Sequence, residues 1–485
     1  MSNLPNNKEK KRYKFYILLA VEAAAIIVVV ILYLLFTNYL KNKEGDPNPS
    51  DGTKQEQTNE GDNSDPNNNN DNDNNGNDDN NNEEISIKEE ITPTPDLQKE
   101  LEDKLDHLLE EADTIAKGYD YDKAIELVES FEDDYKNYDR LTKAVEDYKV
   151  KKDNLVPLGA YESVNEISHI FFHSLIADTA LAFDGDYDAN GYNYYMTTVS
   201  EFQEMMEQMY EDGYVLVSIH DVAKKVTNAD GTISYVAGDI MLPPNKKPFV
   251  LSQDDVNYYD YMTGDGFATR MILDENGDPK NEMILSDGSV SVGDYDMVPV
   301  LDTFIKEHPD FSYKGARGLI ALTGYEGSLG YRTNDQASPT YEKDKEAVKA
   351  VAEGMKAKGW EFASHSYGHR DMGKATYNFT KKDSNRWMEE VGSLIGPTDV
   401  YIFPYGIDIE TTMGRYESDK FTYLKELGFD YYCGVYKGPW IQIQDDYVRM
   451  TRRPLDGQAM LQFPERLRDL FDLNTVIDSA RPELE

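Results

Sequence analysis

Three apolar runs in the second half of the sequence each end in a cluster of polar side chains. "KPFVLSQDD" ends at Asp254 and Asp255, "GWEFASHSYGH" carries His365 and His369, and "DVYIFPYG" carries Tyr405. Segments with helical spacing separate such runs, for example "TTVSEFQEMMEQMYEDGY". Strands and helices in alternation predict an α/β fold with parallel strands. The loops that follow the strands of an α/β barrel meet at one face, so these clusters are expected to converge.

The side chains in these clusters suit a divalent metal. Two histidines and a carboxylate form a common zinc-binding set, which leaves positions open for water and substrate. The spacing of His365 and His369, after a short strand, predicts a turn that aims both rings at one point. Zinc is the expected ion, although cobalt, nickel, manganese and iron also accept such ligands. Taken alone, each motif has a plainer interpretation, as surface histidines or as a turn built by the paired aspartates.

The motifs "SQDD", "HSYGH" and "FPYG" follow the order of the first three motifs of the polysaccharide deacetylases, carbohydrate esterase family 4 with its NodB-homology domain. The sequence resembles this family from about residue 160 to 473, including the strand and helix that open the region. The resemblance implies a distorted (β/α) barrel over residues 160–485. It also implies metal-dependent hydrolysis of N-acetyl groups on amino sugars of a cell-wall or extracellular polysaccharide, of the peptidoglycan or poly-N-acetylglucosamine type.

Carried over by motif, the resemblance gives each polar residue a role. Asp255, His365 and His369 would hold the divalent metal, and Asp254 would be the general base that takes a proton from the attacking water. The backbone N–H of Tyr405 would stabilise the negative charge that develops on the substrate oxygen.

Two departures from the family pattern concern the catalytic groups. The third motif usually carries an arginine that orients the base, and Ile402 stands in its place. Arg449, Arg452 or Arg453 in "VRMTRRPLDG" could reach Asp254 from a later strand, but surface positions are the favoured prediction for these three.

The second departure concerns the general acid. No histidine follows His369, so the family's C-terminal "LxxH" motif is absent from this sequence. Some circularly permuted members take the acid from an N-terminal "YH" motif, which "IFFH" resembles, so His173 is the candidate. A core histidine bonded to backbone groups is the alternative for His173, and a structural role is expected for His169.

The stretch between Asp255 and His365 is long for the family. "DENGDPKNEMILSDGSVSVGDYDM" predicts a β-hairpin insertion, and "GYEGSLGYRT" a loop that overhangs the site. Aromatic side chains in and near this region are candidates for stacking on sugar rings or, equally, for packing. They are Tyr258, Tyr259, Tyr331 and Trp440.

The N-terminal part of the sequence predicts a membrane anchor. The apolar run over residues 15–36 has about the length a helix needs to cross ~30 Å of hydrocarbon. The basic residues within 1–14 favour a cytoplasmic tail, with the rest of the chain outside. A cleaved signal peptide is the alternative, but its apolar core is usually shorter. The expected location is therefore the cell membrane, single-pass, with an extracytoplasmic catalytic domain.

Two segments separate this anchor from the predicted barrel. Residues 37–96, rich in Asn and Asp, predict a disordered linker because they have too few apolar side chains to offset ordering. Leucines and alanines at spacings of three and four over residues 97–155 predict a small helical stalk, whose protein partner the sequence leaves unknown. The formal net charge of −42 disfavours nucleic acid as a partner.

Two other functions remain open at this stage. A degenerate family member would bind glycan without hydrolysing it, which the missing arginine and the missing "LxxH" motif favour. A metal amidase would act on another amide. The intact Asp254 argues against a pure binding domain because binding requires no base.

Overall fold

A computed structural model describes residues 95–158, 164–410 and 414–484. The predicted cytoplasmic tail and anchor helix, and all but the last residues of the predicted linker, lie outside the described residues. Within the described ranges, no helix has both the length and the hydropathy needed to cross a membrane.

Seven parallel strands close into a barrel. They are β1 (Ser168–Phe172), β2 (Lys247–Gln253), β3 (Leu319–Leu322), β4 (Glu361–Ser364), β5 (Val400–Ile402), β6 (Tyr431–Val435) and β7 (Val448–Pro454). Each strand pairs with the next in chain order, and β7 pairs with β1. The prediction of a distorted (β/α) barrel is confirmed.

The distortion lies along one edge of β2. The short strand Tyr214–Leu216 pairs in parallel with the first half of β2, whereas β3 pairs only with its last two residues. Two strands therefore share one edge of β2, and they shorten the contact between β2 and β3.

The two faces of the barrel strands pack in different environments. Outward residues such as Phe249, Leu251 and Phe362 join the buried faces of the surrounding helices. Inward residues form a second core, which includes Val250, Ala321, Ala363, Ile402, Cys433 and Met450. Because both faces are buried, the strands read as almost continuous apolar runs, as parallel strands do.

Helices follow most of the barrel strands. The longer ones are Val199–Glu211, Met297–Glu307, Tyr341–Ala357, Tyr377–Trp387 and Asp419–Glu426. Shorter helices span Thr179–Ala182, Ala189–Tyr195, Ile219–Val222, Ser393–Ile395, Gly457–Gln462 and Leu473–Val476. A capping box between Thr198 and Glu201 begins Val199–Glu211, and its four apolar side chains from Phe202 to Met209 are fully buried.

Small antiparallel sheets decorate the barrel. Strands Ala268–Leu273, Pro279–Ile284 and Val290–Gly293 form a three-stranded sheet, where the sequence predicts a hairpin insertion. Ala223–Thr227 pairs with Ile233–Ala237, Val156–Pro157 pairs with Met241–Leu242, and Ile441–Ile443 pairs with β7.

Three helices precede the barrel: Pro95–Lys117, Tyr121–Glu129 and Asp139–Asp153. They enclose a core of their own, in which Ala112, Ala124 and Leu141 are fully buried. The turn after the first helix contacts the barrel, because the Tyr119 hydroxyl donates to the backbone oxygen of Asp310 at 2.8 Å. The contact lies just before β3, so the three helices dock at the end of the barrel where the strands begin.

Candidate active site

The residues predicted for the site all lie at the end of the barrel where its strands finish. His173 follows β1, Asp254 and Asp255 follow β2, His365 and His369 follow β4, and Tyr405 follows β5. Parallel strands point the same way, so residues as far apart in sequence as His173 and Tyr405 reach one face.

Asp255, His365 and His369 form a cluster able to hold a metal ion. Each offers one ligand atom, and these atoms lie within 4.8 Å of one another. Nε2 of His369 lies 3.6 Å from Oδ2 of Asp255. Nδ1 of the buried His365 donates to the backbone oxygen of Ile402 at 2.8 Å, which leaves Nε2 with the lone pair that a metal requires. The donor set and this tautomer fit a divalent cation.

The backbone around this cluster is in an uncommon conformation. Asp255, His369 and Tyr405 have φ angles of 59°, 46° and 57°, in the left-handed region that non-glycine residues rarely occupy. Each such residue costs of the order of 1–3 kcal/mol and persists only where its surroundings hold it. Here the turns aim the side chains at a common point, and the rings of His369 and Tyr405 lie 4.5 Å apart.

Asp254 is buried beside Arg452, which is fully buried as well. Nη1 of Arg452 donates to Oδ1 at 2.6 Å, and Nη2 donates to Oδ2 at 2.9 Å. Burial alone would raise the pKa of the Asp254 carboxyl, but the Arg452 guanidinium and His365 outweigh it and hold the pKa well below its usual range. Asp254 is therefore ionised at neutral pH and able to accept a proton.

The prediction that Arg449, Arg452 and Arg453 lie on the surface is wrong, because all three are buried. Arg452 points into the barrel, where Ile402 also points, and it reaches Asp254 from β7. Arg449 is buried against Asp408, and Arg453 is buried against Asp469. The signal was present in the sequence: the alternation along "VRMTRRP" places Arg452 on the same side of β7 as the inward Met450.

His173 is half-buried and has one ring nitrogen free of backbone partners. Its Nδ1 donates to the backbone oxygen of Tyr195 at 3.0 Å, so the tautomer leaves Nε2 as the exchangeable position. His173 also contributes to the lowered pKa of Asp254, so the two groups are within electrostatic range. His169, by contrast, is fully buried and bonds Ser252 at 2.9 Å, consistent with the structural role expected for it.

Two residues that the sequence did not predict to contact the metal ligands lie beside them. The Tyr259 hydroxyl donates to Oδ1 of Asp255 at 2.7 Å and lies 2.9 Å from the Thr323 hydroxyl. Thr323 directly follows β3, so this contact ties the end of β3 to the loop after β2. Only tertiary structure brings Thr323 here, and no sequence motif marks it.

The four aromatic residues that were candidates for sugar stacking or, equally, for packing are packed against the protein. Tyr258 and Tyr259 are 1% and 5% exposed, so neither ring face is open to a ligand. Tyr331 and Trp440 are half-buried and pack against Arg270 and Arg449. The exposed rings at this face include Tyr261, Tyr325 and Tyr405, none of which was a candidate for this role.

The polysaccharide deacetylase family model matches residues 332–432. The match spans β4, both histidines of the metal cluster, β5 and Tyr405. Asp254, Asp255, His173 and Arg452 lie outside it. No curated protein sequence matches the chain significantly.

Three solved structures match parts of the chain at low sequence identity. The Streptococcus pyogenes deacetylase PplD in complex with acetate is 14% identical, with a TM-score of 0.35, over 63% of this chain and 98% of that chain. A Bacillus anthracis protein assigned as a polysaccharide deacetylase is 14% identical, with a TM-score of 0.31, over 60% and 64%. A Mycobacterium smegmatis protein with the same assignment is 18% identical, with a TM-score of 0.21, over 32% and 44%.

The fold and the family match define a hydrolase of the deacetylase class built on a seven-stranded (β/α) barrel. The matched segment, residues 332–432, contains the second and third of the predicted motifs and lies within this barrel.

Proposed function

We propose that this chain hydrolyses N-acetyl groups on amino sugars of a cell-wall or extracellular polysaccharide, with a divalent metal, zinc by expectation, held by Asp255, His365 and His369. The observation that carries the proposal is the pairing of buried, ionised Asp254 with Arg452 beside this ligand set. A domain that only binds glycan has no use for a base held ionised in this way.

The residues divide the reaction between them. A divalent cation, when bound, supplies Lewis-acid chemistry that makes water more acidic and polarises the amide carbonyl. Asp254 removes a proton from the water that attacks the carbonyl carbon, and Arg452 keeps its carboxylate oriented. The backbone N–H of Tyr405 stabilises negative charge on the carbonyl oxygen. His173 Nε2 protonates the amine as the C–N bond breaks, so the products are acetate and a free amino sugar.

The proposed location is the cell membrane, with the barrel outside the cytoplasm. The apolar run over residues 15–36 and the basic residues before it support this proposal. The long Asn/Asp-rich segment that follows the run would then allow the barrel to reach a substrate in the cell wall.

The test is acetate release by the purified full chain from N-acetylglucosamine oligomers and from peptidoglycan. We expect release to stop on chelation, to return with zinc, and to be abolished in Asp255→Ala, which removes a metal ligand. Lys374→Ala is the matched control, since Lys374 is exposed and pairs with Asp371 outside the ligand set. No acetate from either polymer, with metal bound, would favour a glycan-binding domain or an amidase for another substrate.

A further inference from the structure

A groove of about 560 Å³ opens directly beside the metal cluster. His369 and Tyr405 are part of its lining, so a substrate at the metal cluster would lie against this groove. Tyr325 and Phe379, which are 38% and 40% exposed, offer aromatic rings along the groove, and Arg370, Lys382 and Arg386 offer positive charge. A second groove of about 560 Å³ shares Lys382 and Arg386 and continues to Lys381, with Glu389 and Glu390 also in its lining.

The positive charge of this groove runs against the charge of the whole chain. The net charge is −42, yet residues 366–388 contain five lysines and arginines and only two aspartates. The segment covers the loop after β4 and the helix Tyr377–Trp387. Three of these five cations, Arg370, Lys382 and Arg386, line the groove beside His369.

The Asp383 carboxylate lies within electrostatic range of Arg370 and Arg386, but its hydrogen bonds to the backbone leave it paired with neither cation. Asp383 is 7% exposed, and its two oxygens accept the backbone N–H groups of Tyr367 at 2.8 Å and Gly368 at 3.0 Å. Among the described residues, Arg370 and Lys382 make no ion pair. Both side chains are exposed and therefore available to an anion.

Arg386 is the one groove cation that is held in place. Its Nε donates to Glu390 at 2.8 Å, and its guanidinium lies 4.0 Å from the centre of the Tyr367 ring. Glu390 in turn accepts the Tyr367 hydroxyl at 2.7 Å. These contacts fix the guanidinium at the groove wall, with the terminal nitrogens left for a ligand.

We propose that this groove binds an anionic substituent, a carboxylate or a phosphate, of the N-acetylated glycan whose deacetylation is proposed above. Arg370, Lys382 and Arg386 bind the anion, while Tyr325, Phe379 and Tyr405 contact the apolar faces of the sugar rings. A polyanionic glycan is repelled by a chain of this net charge, so a local cluster of cations is required to admit it. The preferred substrate is therefore an anionic rather than a neutral polymer.

The test separates binding from catalysis. The full chain, stripped of metal with a chelator, is titrated with three N-acetylated glycans of matched length: a neutral one, one carrying carboxylates and one carrying phosphodiesters. We expect at least one anionic glycan to bind more tightly than the neutral one, and this preference to shrink as salt is raised, because exposed charges are screened. Comparing the carboxylated glycan with the phosphodiester glycan shows which of the two anionic groups the groove prefers.

The double variant Arg370→Gln/Lys382→Gln probes the groove itself. The loss of two exposed ion pairs should weaken anionic glycan binding about two- to thirtyfold while neutral glycan binding stays unchanged. Lys374→Gln, which removes an exposed lysine outside the groove, should change neither. If the double variant folds poorly, the single variant Lys382→Glu replaces it in the test. Reversing the charge of this exposed side chain should also weaken anionic glycan binding.

Equal binding of neutral and anionic glycans by the wild-type chain, or an unchanged preference in the double variant, would overturn the proposal. Acetate release from the neutral oligomer would then still support the deacetylase. Preferential anionic binding that depends on the groove would support the proposal even if no acetate is released, so the two proposals fail separately.

Discussion

Arg452 on the last barrel strand donates two hydrogen bonds, of 2.6 and 2.9 Å, to the two carboxylate oxygens of Asp254 at the end of the second strand. Both side chains are buried, so the pair is a charge-assisted contact within the protein interior. The arginine expected from the third motif is absent, and Ile402 stands in its place. A guanidinium from a different strand therefore occupies the position beside the base.

Replacing Arg452 should move the acid limb of the pH–rate profile. In Arg452→Gln, Asp254 stays buried without its cation, so its pKa rises and the base becomes protonated at a higher pH. The acid limb of kcat/KM for acetate release should shift upward in pH. Arg452→Lys, which keeps the charge but not the paired geometry, should shift it less. An unchanged acid limb in Arg452→Gln would contradict this role.

The same pair should contribute to stability. Removing one partner of a buried ion pair costs about 3–5 kcal/mol, so Arg452→Gln should lower the midpoint of denaturant unfolding at pH 7. Because the folded-state pKa of Asp254 is depressed, the stabilisation is present above the unfolded-state value of about 4 and is lost as pH falls below it. The difference between wild type and variant should accordingly shrink in unfolding curves below pH 4.

His173 should affect the leaving group rather than the metal. His173→Gln should lower kcat about a hundredfold or more, because general acid catalysis contributes about 10²–10⁴. Zinc affinity should be unchanged in this variant. The loss should be smaller for an activated acetanilide, whose amine leaves more readily without protonation. An equal loss on both substrates would indicate a structural histidine.

Tyr259 should act through Asp255. Tyr259→Phe keeps the buried ring but removes the hydroxyl that bonds the carboxylate, and loss of such outer contacts typically weakens metal binding about 10–100-fold. Calorimetric zinc titration should show this loss, with little change in the melting temperature of the metal-free protein. Tyr261→Phe, on a neighbouring exposed ring, is the control and should bind zinc normally. Normal zinc affinity in Tyr259→Phe would exclude the positioning role.

His220 should stabilise the opposite end of the barrel. Its ring nitrogens lie 2.7 Å from Glu361 and 2.9 Å from Asp399. Glu361 is the first residue of β4, and Asp399 directly precedes β5. Burial lowers the pKa of His220, but the hydrogen bonds to the two carboxylates outweigh it and raise the pKa to about 10. A raised pKa means that the stabilisation is fully present below the unfolded-state value of about 6.5 and is lost as pH rises through about 10.

The measurement for His220 is thermal unfolding of His220→Gln across pH. The variant should melt below wild type at pH 6, and the gap should close as pH approaches about 10. Acetate release at neutral pH should be retained, since His220 lies at the end of the barrel away from the site. A gap that is constant with pH would show that the loss comes from packing.

The pattern of apolar residues is enough to predict the alternation of strands and helices, and with it the barrel. It also indicates which residues follow the strand ends, because period-two and period-3.6 patterns of apolar residues are local properties of the chain. The polar clusters after β2, β4 and β5 could therefore be selected without coordinates. Parallel strand order then requires those clusters to share one face, whatever the details of packing.

Tertiary structure alone decided which distant side chains touch within that face. Arg452 was predicted to lie on the surface because charged side chains are usually exposed to water. Its actual position follows from its place on the inward side of β7, where it pairs with the Asp254 carboxylate. Tyr259 was considered only for stacking or packing of its ring, whereas its hydroxyl contacts the metal ligand Asp255. The Thr323 contact and the basic groove depend on how loops from separate strands pack, and such long-range contacts leave no periodic trace in the sequence.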